Sequence, residues 1–183
     1  FPDANLKARL LAATPTNNIA GSQFIAPVGL SDNPIAGSPI KIDANSDGEI
    51  QVSEAIAVKW LNLSTNIAST EGLQYFSNME QIVLTGGILT SFTGWPSLKI
   101  INLVDGALTS INVGNCPVLD HLKVNGNALT SLNVNGCTAL RILNFQDNDI
   151  TVQPDTGQLI TPNLRMYYAG NNPLSSFNIA LLP

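Results

Sequence analysis

Six segments of this 183-residue chain repeat one pattern at near-constant spacing, and a repeat of that length constrains the fold more than any single residue does. Leu98-Lys99-Ile100-Ile101-Asn102-Leu103 aligns with Leu119-Asp120-His121-Leu122-Lys123-Val124 and with Leu140-Arg141-Ile142-Leu143-Asn144-Phe145. The ninth residue of each unit is Gly106, Asn127 or Asn148. Next come Ala107-Leu108-Thr109-Ser110-Ile111, Ala128-Leu129-Thr130-Ser131-Leu132 and Asp149-Ile150-Thr151. Further units start at Val58, Met79 and Leu164. The starts at 58, 79, 98, 119, 140 and 164 lie 21, 19, 21, 21 and 24 residues apart.

Apolar residues at the fourth and sixth positions, with other residues between them, form a period-2 signal. Each unit therefore contributes one short strand with two inward side chains. Stacked units place these strands side by side in a parallel sheet lining one face of a solenoid. The chain must then turn inward, and a buried Asn side chain can satisfy the backbone groups that the turn leaves unpaired. Asn66, Asn127, Asn148 and Asn172 are expected to form such a ladder, interrupted by Gly87 and Gly106. The second half of each unit, as in Leu129-Thr130-Ser131-Leu132-Asn133-Val134, is rich in strand formers. A unit of 21 residues has no room for a long helix, so short extended or irregular segments are expected on the convex side.

The L-x-x-L-x-L-x-x-N pattern resembles the leucine-rich repeat family over residues 58–183. It is most similar in style to secreted bacterial surface proteins with short Asn-rich, internalin-like repeats. The resemblance implies an α/β-type leucine-rich repeat solenoid, strand-dominated, with a parallel sheet on the concave face. It implies nothing specific about a ligand, because the scaffold hosts many. The unit from 140 departs from the pattern at Val152-Gln153-Pro154-Asp155-Thr156-Gly157, where a local convex bulge is expected.

Residues 1–57 read as a small helical cap. Asp3 suits a helix N-cap, and Phe1, Leu6, Leu10 and Ala13 share one face of the helix before Thr14-Pro15 ends it. Residues 15–42 contain Pro15, Pro27, Pro34 and Pro39 and little periodicity, so they are expected to form a long loop at the first repeat. Residues 43–54 then match D-x-[DN]-x-[DN]-G-x5-E in full. Calcium takes six to eight oxygens. Asp43, Asn45 and Asp47 occupy positions 1, 3 and 5. Gly48 allows the turn, Glu49 offers its carbonyl, Gln51 stands where a ligand often acts through water, and Glu54 is the bidentate residue. Ile40-Lys41-Ile42 looks extended where an EF-hand would have its entering helix, and no second loop is present. The resemblance is to a single EF-hand-like loop of extracellular type. A Ca2+ clip tying the Pro-rich segment to the start of the solenoid is expected.

On the concave sheet the third, fifth and seventh positions should face outward. The third column is Trp60, Gln81, Ile100, His121, Ile142 and Met166. The fifth is Asn62, Val83, Asn102, Lys123, Asn144 and Tyr168, and the seventh is Ser64, Thr85, Val104, Asn125, Gln146 and Gly170. The third column holds more apolar surface than solubility needs, which marks an interaction face. The expected ligand-binding set is Trp60, Asn62, Ile100, Asn102, His121, Lys123, Ile142, Asn144, Met166 and Tyr168. His121, the only histidine, is expected as a surface residue. Cys116 and Cys137 occupy equivalent positions in adjacent coils. They read either as a disulfide or, preferably, as two buried free thiols. Thr90, Thr109, Thr130 and Thr151 also align and read as turn and strand chemistry.

Charged residues make up 11% of the chain against a usual ~25%. The 21 Asn residues outnumber the 13 acids and the 8 bases. Eight bases in a chain of net charge −5 argue against nucleic acid, which demands a concentrated basic footprint. No apolar run approaches the ~18 residues that cross a bilayer, so no membrane insertion is expected. No nucleophile, base and orienting acid stand in a recognisable arrangement, so catalytic residues are expected to be none. The expected function is a non-enzymatic recognition module, such as an adhesin, of a secreted or cell-surface bacterial protein, binding a protein or glycan. The alternative is a structural spacer or targeting fragment of a larger secreted protein or enzyme.

Overall fold

The structure, a computed structural model, describes residues 1–25, 35–156 and 161–178. In chain order the elements are α1 (Ala4–Leu11), β1 (Ala20–Gly21), β2 (Phe24–Ile25), β3 (Ile35–Ala36), α2 (Val52–Ala55) and β4 (Trp60–Asn62), then a 3-10 turn at Leu73–Tyr75. β5 (Gln81–Thr85), β6 (Ser91–Thr93), β7 (Ile100–Val104), β8 (Ser110–Asn112), β9 (His121–Lys123), β10 (Ile142–Asn144) and β11 (Met166–Tyr168) follow. One sheet runs β1-β4-β5-β7-β9-β10-β11. Its last six strands are parallel, and they keep the sequence register. Trp60 stands opposite Gln81, Gln81 opposite Ile100, Ile100 opposite His121, His121 opposite Ile142, and Ile142 opposite Met166. Six units thus give six strands and about five full turns. The fold is a strand-dominated leucine-rich repeat solenoid.

The fourth-position residues Leu61, Ile82, Ile101, Leu122 and Leu143 are all buried, as are sixth-position Leu63, Leu84, Leu103, Val124 and Phe145. Each such side chain contributes roughly 1.5–3 kcal/mol by leaving water. Leu89, Leu108, Leu129 and Ile150 close the core from the convex side. That side holds only the parallel pair β6–β8 and the 3-10 turn, otherwise turns and irregular chain, as the short repeat requires. Residues 151–156 form no strand, and Val152 is exposed while Gln153 and Thr156 are buried; Gly157 lies outside the described residues.

Three asparagines build the ladder. Asn127 Nδ2 donates to Leu103 O and Val124 O, and its Oδ1 accepts from Leu108 N. Asn148 does the same with Val124 O, Phe145 O and Leu129 N, and Asn172 with Phe145 O, Ala169 O and Ile150 N. The expectation for Asn66 is corrected. It has no preceding coil to serve, its Oδ1 accepts from Ser64 Oγ, and its carbonyl accepts from Asn5 Nδ2 of the cap. The residue before each ladder position is left-handed. Gly86, Asp105, Gly126, Asp147 and Asn171 have φ of 73°, 55°, 68°, 54° and 56°. Only glycine, aspartate and asparagine stand there, the residues that tolerate this conformation best.

α1 forms as its sequence predicts. Asp3 Oδ1 accepts from Asn5 N and Leu6 N, while its Oδ2 accepts from Ala68 N and Ser69 N of the first coil. Burial opposes ionisation of Asp3, but these backbone hydrogen bonds outweigh it and hold the carboxyl below its ordinary value. Leu6, Leu10 and Ala13 join the solenoid core. Phe1 is partly exposed and stacks on Phe76 at 6.3 Å. β1 runs antiparallel to β4 and covers the first edge of the sheet, with Gly21 opposite Trp60. Pro27 and Pro34 of the long loop lie outside the described residues.

Candidate functional site

The third column is buried rather than exposed. Trp60, Gln81, Ile100 and Ile142 are buried, and His121 is 1% exposed. The expectation that these residues face solvent is therefore overturned, as is that of a surface His121. Met166 is half-buried. The cap reaches the column's near end. Gly21 backs the Trp60 indole so closely that a Cβ there would sit 2.1 Å from Nε1, and the Phe24 ring lies 5.2 Å from the Lys99 ammonium. A run of Trp60, Ile100 and Ile142 was the available signal, because bulky apolar residues repeated in one column mark a covered face as readily as a sticky one.

The fifth column stays on the surface, half-buried along its length at Asn62, Val83, Asn102, Lys123, Asn144 and Tyr168. In the seventh, Thr85 and Gly170 are exposed and Ser64, Val104, Asn125 and Gln146 half-buried. Asn144 Oδ1 accepts from Gln146 N at 3.1 Å. Two acceptors in neighbouring coils, Gln81 Oε1 and Asn102 Oδ1, are buried without a donor.

Sequence reasoning missed the second column, where charges alternate from coil to coil. Glu80 bridges Lys59 at 3.0 Å and Lys99 at 2.6 Å, and the Arg141 fork grips Asp120 through Nε at 2.5 Å and Nη2 at 2.6 Å. His121 Nδ1 lies 3.3 Å from Asp120 Oδ2. Burial resists ionisation of Glu80, but hydrogen bonds from Lys99 and Lys59, and their charge, outweigh it and lower its pKa. The signal was present as Lys, Glu, Lys, Asp, Arg at one repeat position, and it has meaning only once the strands are known to be neighbours.

In residues 43–54 the expected ligands meet in one hydrogen-bond network. Asp43 is buried, and its carboxylate accepts from Asp47 N and Gly48 N at 3.2 Å each. Glu54 accepts from Ala44 N at 2.7 Å and Gln51 N at 3.0 Å, completing a capping box at α2. Asp47 Oδ1 accepts from Glu49 N, and its Oδ2 accepts from both Asn45 Nδ2 and Gln51 Nε2. The Glu49 bond, then the two side-chain amides, hold the Asp47 carboxyl below its ordinary value. Ser46 and Gly48 take the left-handed turns the loop needs, at φ 64° and 81°. The Glu49 side chain turns away to Lys7 of α1 at 2.6 Å, tying loop to helix. Ile50 packs on the core, and Pro39 bridges Gly21. Among the described residues, no three His, Cys, Asp or Glu side chains are gathered closely enough to hold a metal. The donor chemistry nonetheless fits a hard cation, since every residue of the set carries oxygen. Turning the amides of Asn45 and Gln51 over would present oxygen where they now present N–H.

Cys116 and Cys137 are buried free thiols. Burial pushes Cys116 up to about 11, and burial with Cys116 beside it pushes Cys137 up to about 12. Cys137 Sγ donates to Val113 O at 3.4 Å. Thr90, Thr109, Thr130 and Thr151 are exposed, and Thr109 Oγ1 donates to Thr90 O.

No protein-family model matches the chain, and no curated protein matches it. Among solved structures it is similar to the functional domain of InlJ from Listeria monocytogenes, described as including a cysteine ladder. The TM-score is 0.34 at 14% identity, over 100% of this chain and 48% of that one. It is also similar to an internalin, inlF, from Listeria monocytogenes, with a TM-score of 0.31 at 14% identity, over 97% of this chain and 78% of that one. The chain thus spans about half the length of the first of these. Likeness this distant says nothing of activity or partner, and the fold rests on the register of the six strands. Among the described residues no helix is long and apolar enough to cross a membrane.

Proposed function

We propose that this chain is a non-enzymatic recognition module of a secreted or surface-attached bacterial protein, binding a protein or glycan through the fifth and seventh columns of its sheet. The supporting observation is at Asn102, whose Oδ1 is buried without a donor in mid-face, between Val83 and Lys123 in register. A buried acceptor without a donor costs free energy that a ligand N–H or O–H would recover. Asn62, Asn102 and Asn144 offer amides, Lys123 a charge and Tyr168 an aromatic ring. Trp60, Ile100, His121 and Ile142 support this surface from beneath and do not touch the ligand. The test is a screen of the whole chain against immobilised proteins and glycans, repeated with Lys123→Glu and Tyr168→Ala. Affinity falling about tenfold or more in a variant of unchanged melting temperature is expected. A screen without binders, or binders indifferent to both changes, sinks the reading.

The same reading includes Ca2+ in the loop of Asp43, Asn45, Asp47, Glu49, Gln51 and Glu54. The full motif and the all-oxygen donor set support it. When bound, the ion would neutralise carboxylates and fix the loop between α1 and the first coil. At a hundredfold excess over its dissociation constant, Ca2+ would stabilise the fold by about 2.7 kcal/mol. A melting temperature raised by Ca2+ and lowered by chelator is expected. No shift in either direction, with no metal by elemental analysis, refutes it.

A further inference from the structure

The convex side carries a groove at the open edge of β6. In the parallel β6–β8 pair, Ser110 N donates to Thr90 O at 3.3 Å and Gly94 N donates to Asn112 O at 2.8 Å. Backbone groups alternate in direction along a strand, so residues 90, 92 and 94 face β8, while Ser91 and Thr93 turn theirs the other way. On that side the preceding coil offers no strand. Asp3 instead holds Ala68 N and Ser69 N, at 2.7 and 3.0 Å, and the chain passes into the 3-10 turn at Leu73. Among the described residues no backbone bond joins Ser91 or Thr93 to that coil. The space between them is a groove of about 410 Å³, lined among others by Thr70, Glu71, Gln74, Ser91, Thr93 and Trp95.

We propose that an extended peptide segment of a partner protein, carrying lysine or arginine, adds to β6 here as a third strand. Ser91 and Thr93 present matched N–H and C=O groups about 6.6 Å apart, the repeat of a second strand rather than of a sugar. Glu71 is the only charged side chain lining the groove, and among the described residues it has no ion-pair partner, so the complementary charge is positive. Trp95, stacked on buried Phe92 at 5.9 Å, gives an apolar surface, and its indole N–H is buried without an acceptor. The groove lies outside the six-stranded sheet, so this reading and that of the sheet face stand or fall separately.

The test is amide hydrogen exchange on the whole chain with three probes. Two are heptapeptides of alternating Thr and Val with a central Lys or a central Glu, and the third is maltohexaose. Exchange at Ser91 and Thr93 slowed about tenfold by the Lys peptide, and less by the Glu peptide, is expected. Thr93→Pro removes one donor without breaking a native bond, as an edge strand tolerates, and should abolish the effect. Glu71→Gln should weaken the Lys peptide about tenfold and decides the matter if the proline variant does not fold. The proposal is overturned by unchanged exchange at both amides at millimolar peptide, by equal protection from the two peptides, or by protection from maltohexaose instead. Protection that persists in Thr93→Pro also overturns it.

Discussion

Asn148 bonds at once to its own coil and to the one before it, so its side chain replaces a backbone turn that no regular element could supply. Replacing it with Ala leaves Val124 O, Phe145 O and Leu129 N buried without these partners. A loss of about 3 kcal/mol or more is expected, measured by urea unfolding. Asn66 carries the same residue type at the same repeat position but serves no earlier coil, so Asn66→Ala should cost less than about 1 kcal/mol. Gly21 shows the opposite economy, since its value lies in what it lacks. Gly21→Ala drives a methyl into the Trp60 indole and should cost about 1–3 kcal/mol, with a shift in tryptophan fluorescence reporting the displaced ring. The ladder was legible because Asn recurs every 21 to 24 residues. The Gly21 contact was not, because it joins residues 39 apart that no period relates.

At the scale of elements, the alternating charges of the second column lock neighbouring strands. Glu80 sits between two lysines, and its pKa is lowered from an ordinary value of 4.5. A depressed carboxylate contributes stability that is present above the ordinary value and lost as pH falls through the folded one. Wild-type stability should therefore drop below about pH 4.5. Glu80→Gln, less stable at pH 7, should converge on wild type in acid, as pH-dependent urea midpoints will show. A constant gap between the two at every pH would mean that Glu80 acts through packing alone. The strands were legible from alternation, and α1 from Asp3 and its apolar face. What alternation cannot tell is whether an outward column meets water or another part of the chain. The burial of His121 and Ile142 is tertiary information that their own repeats do not contain.

At the scale of the molecule, one apolar core runs from Leu6 of α1 to Leu164 of the last described coil. Cap and solenoid share it, and Asp3, Lys7 and Gly21 add polar and backbone ties between them. Unfolding followed by tryptophan fluorescence, which reports Trp60 and Trp95 in the first two coils, should coincide with the circular-dichroism transition. An earlier fluorescence transition would mean that the near end melts alone. The 43–54 loop was legible as a motif because its spacing is set by the loop's own chemistry, whereas the groove at β6 was not, because it exists only where one coil departs from its neighbours. The asparagine ladder carries a consequence of a different kind. Each ladder residue completes the turn of the coil before it, so every copied unit brings the part its predecessor lacks and leaves its own turn for the next copy to finish. A gene lengthened by whole-unit duplication would then need no new joint at the seam, whereas one lengthened by half a unit would strand a turn without its asparagine. The chain's length is in this sense a countable quantity, open to change only in whole steps.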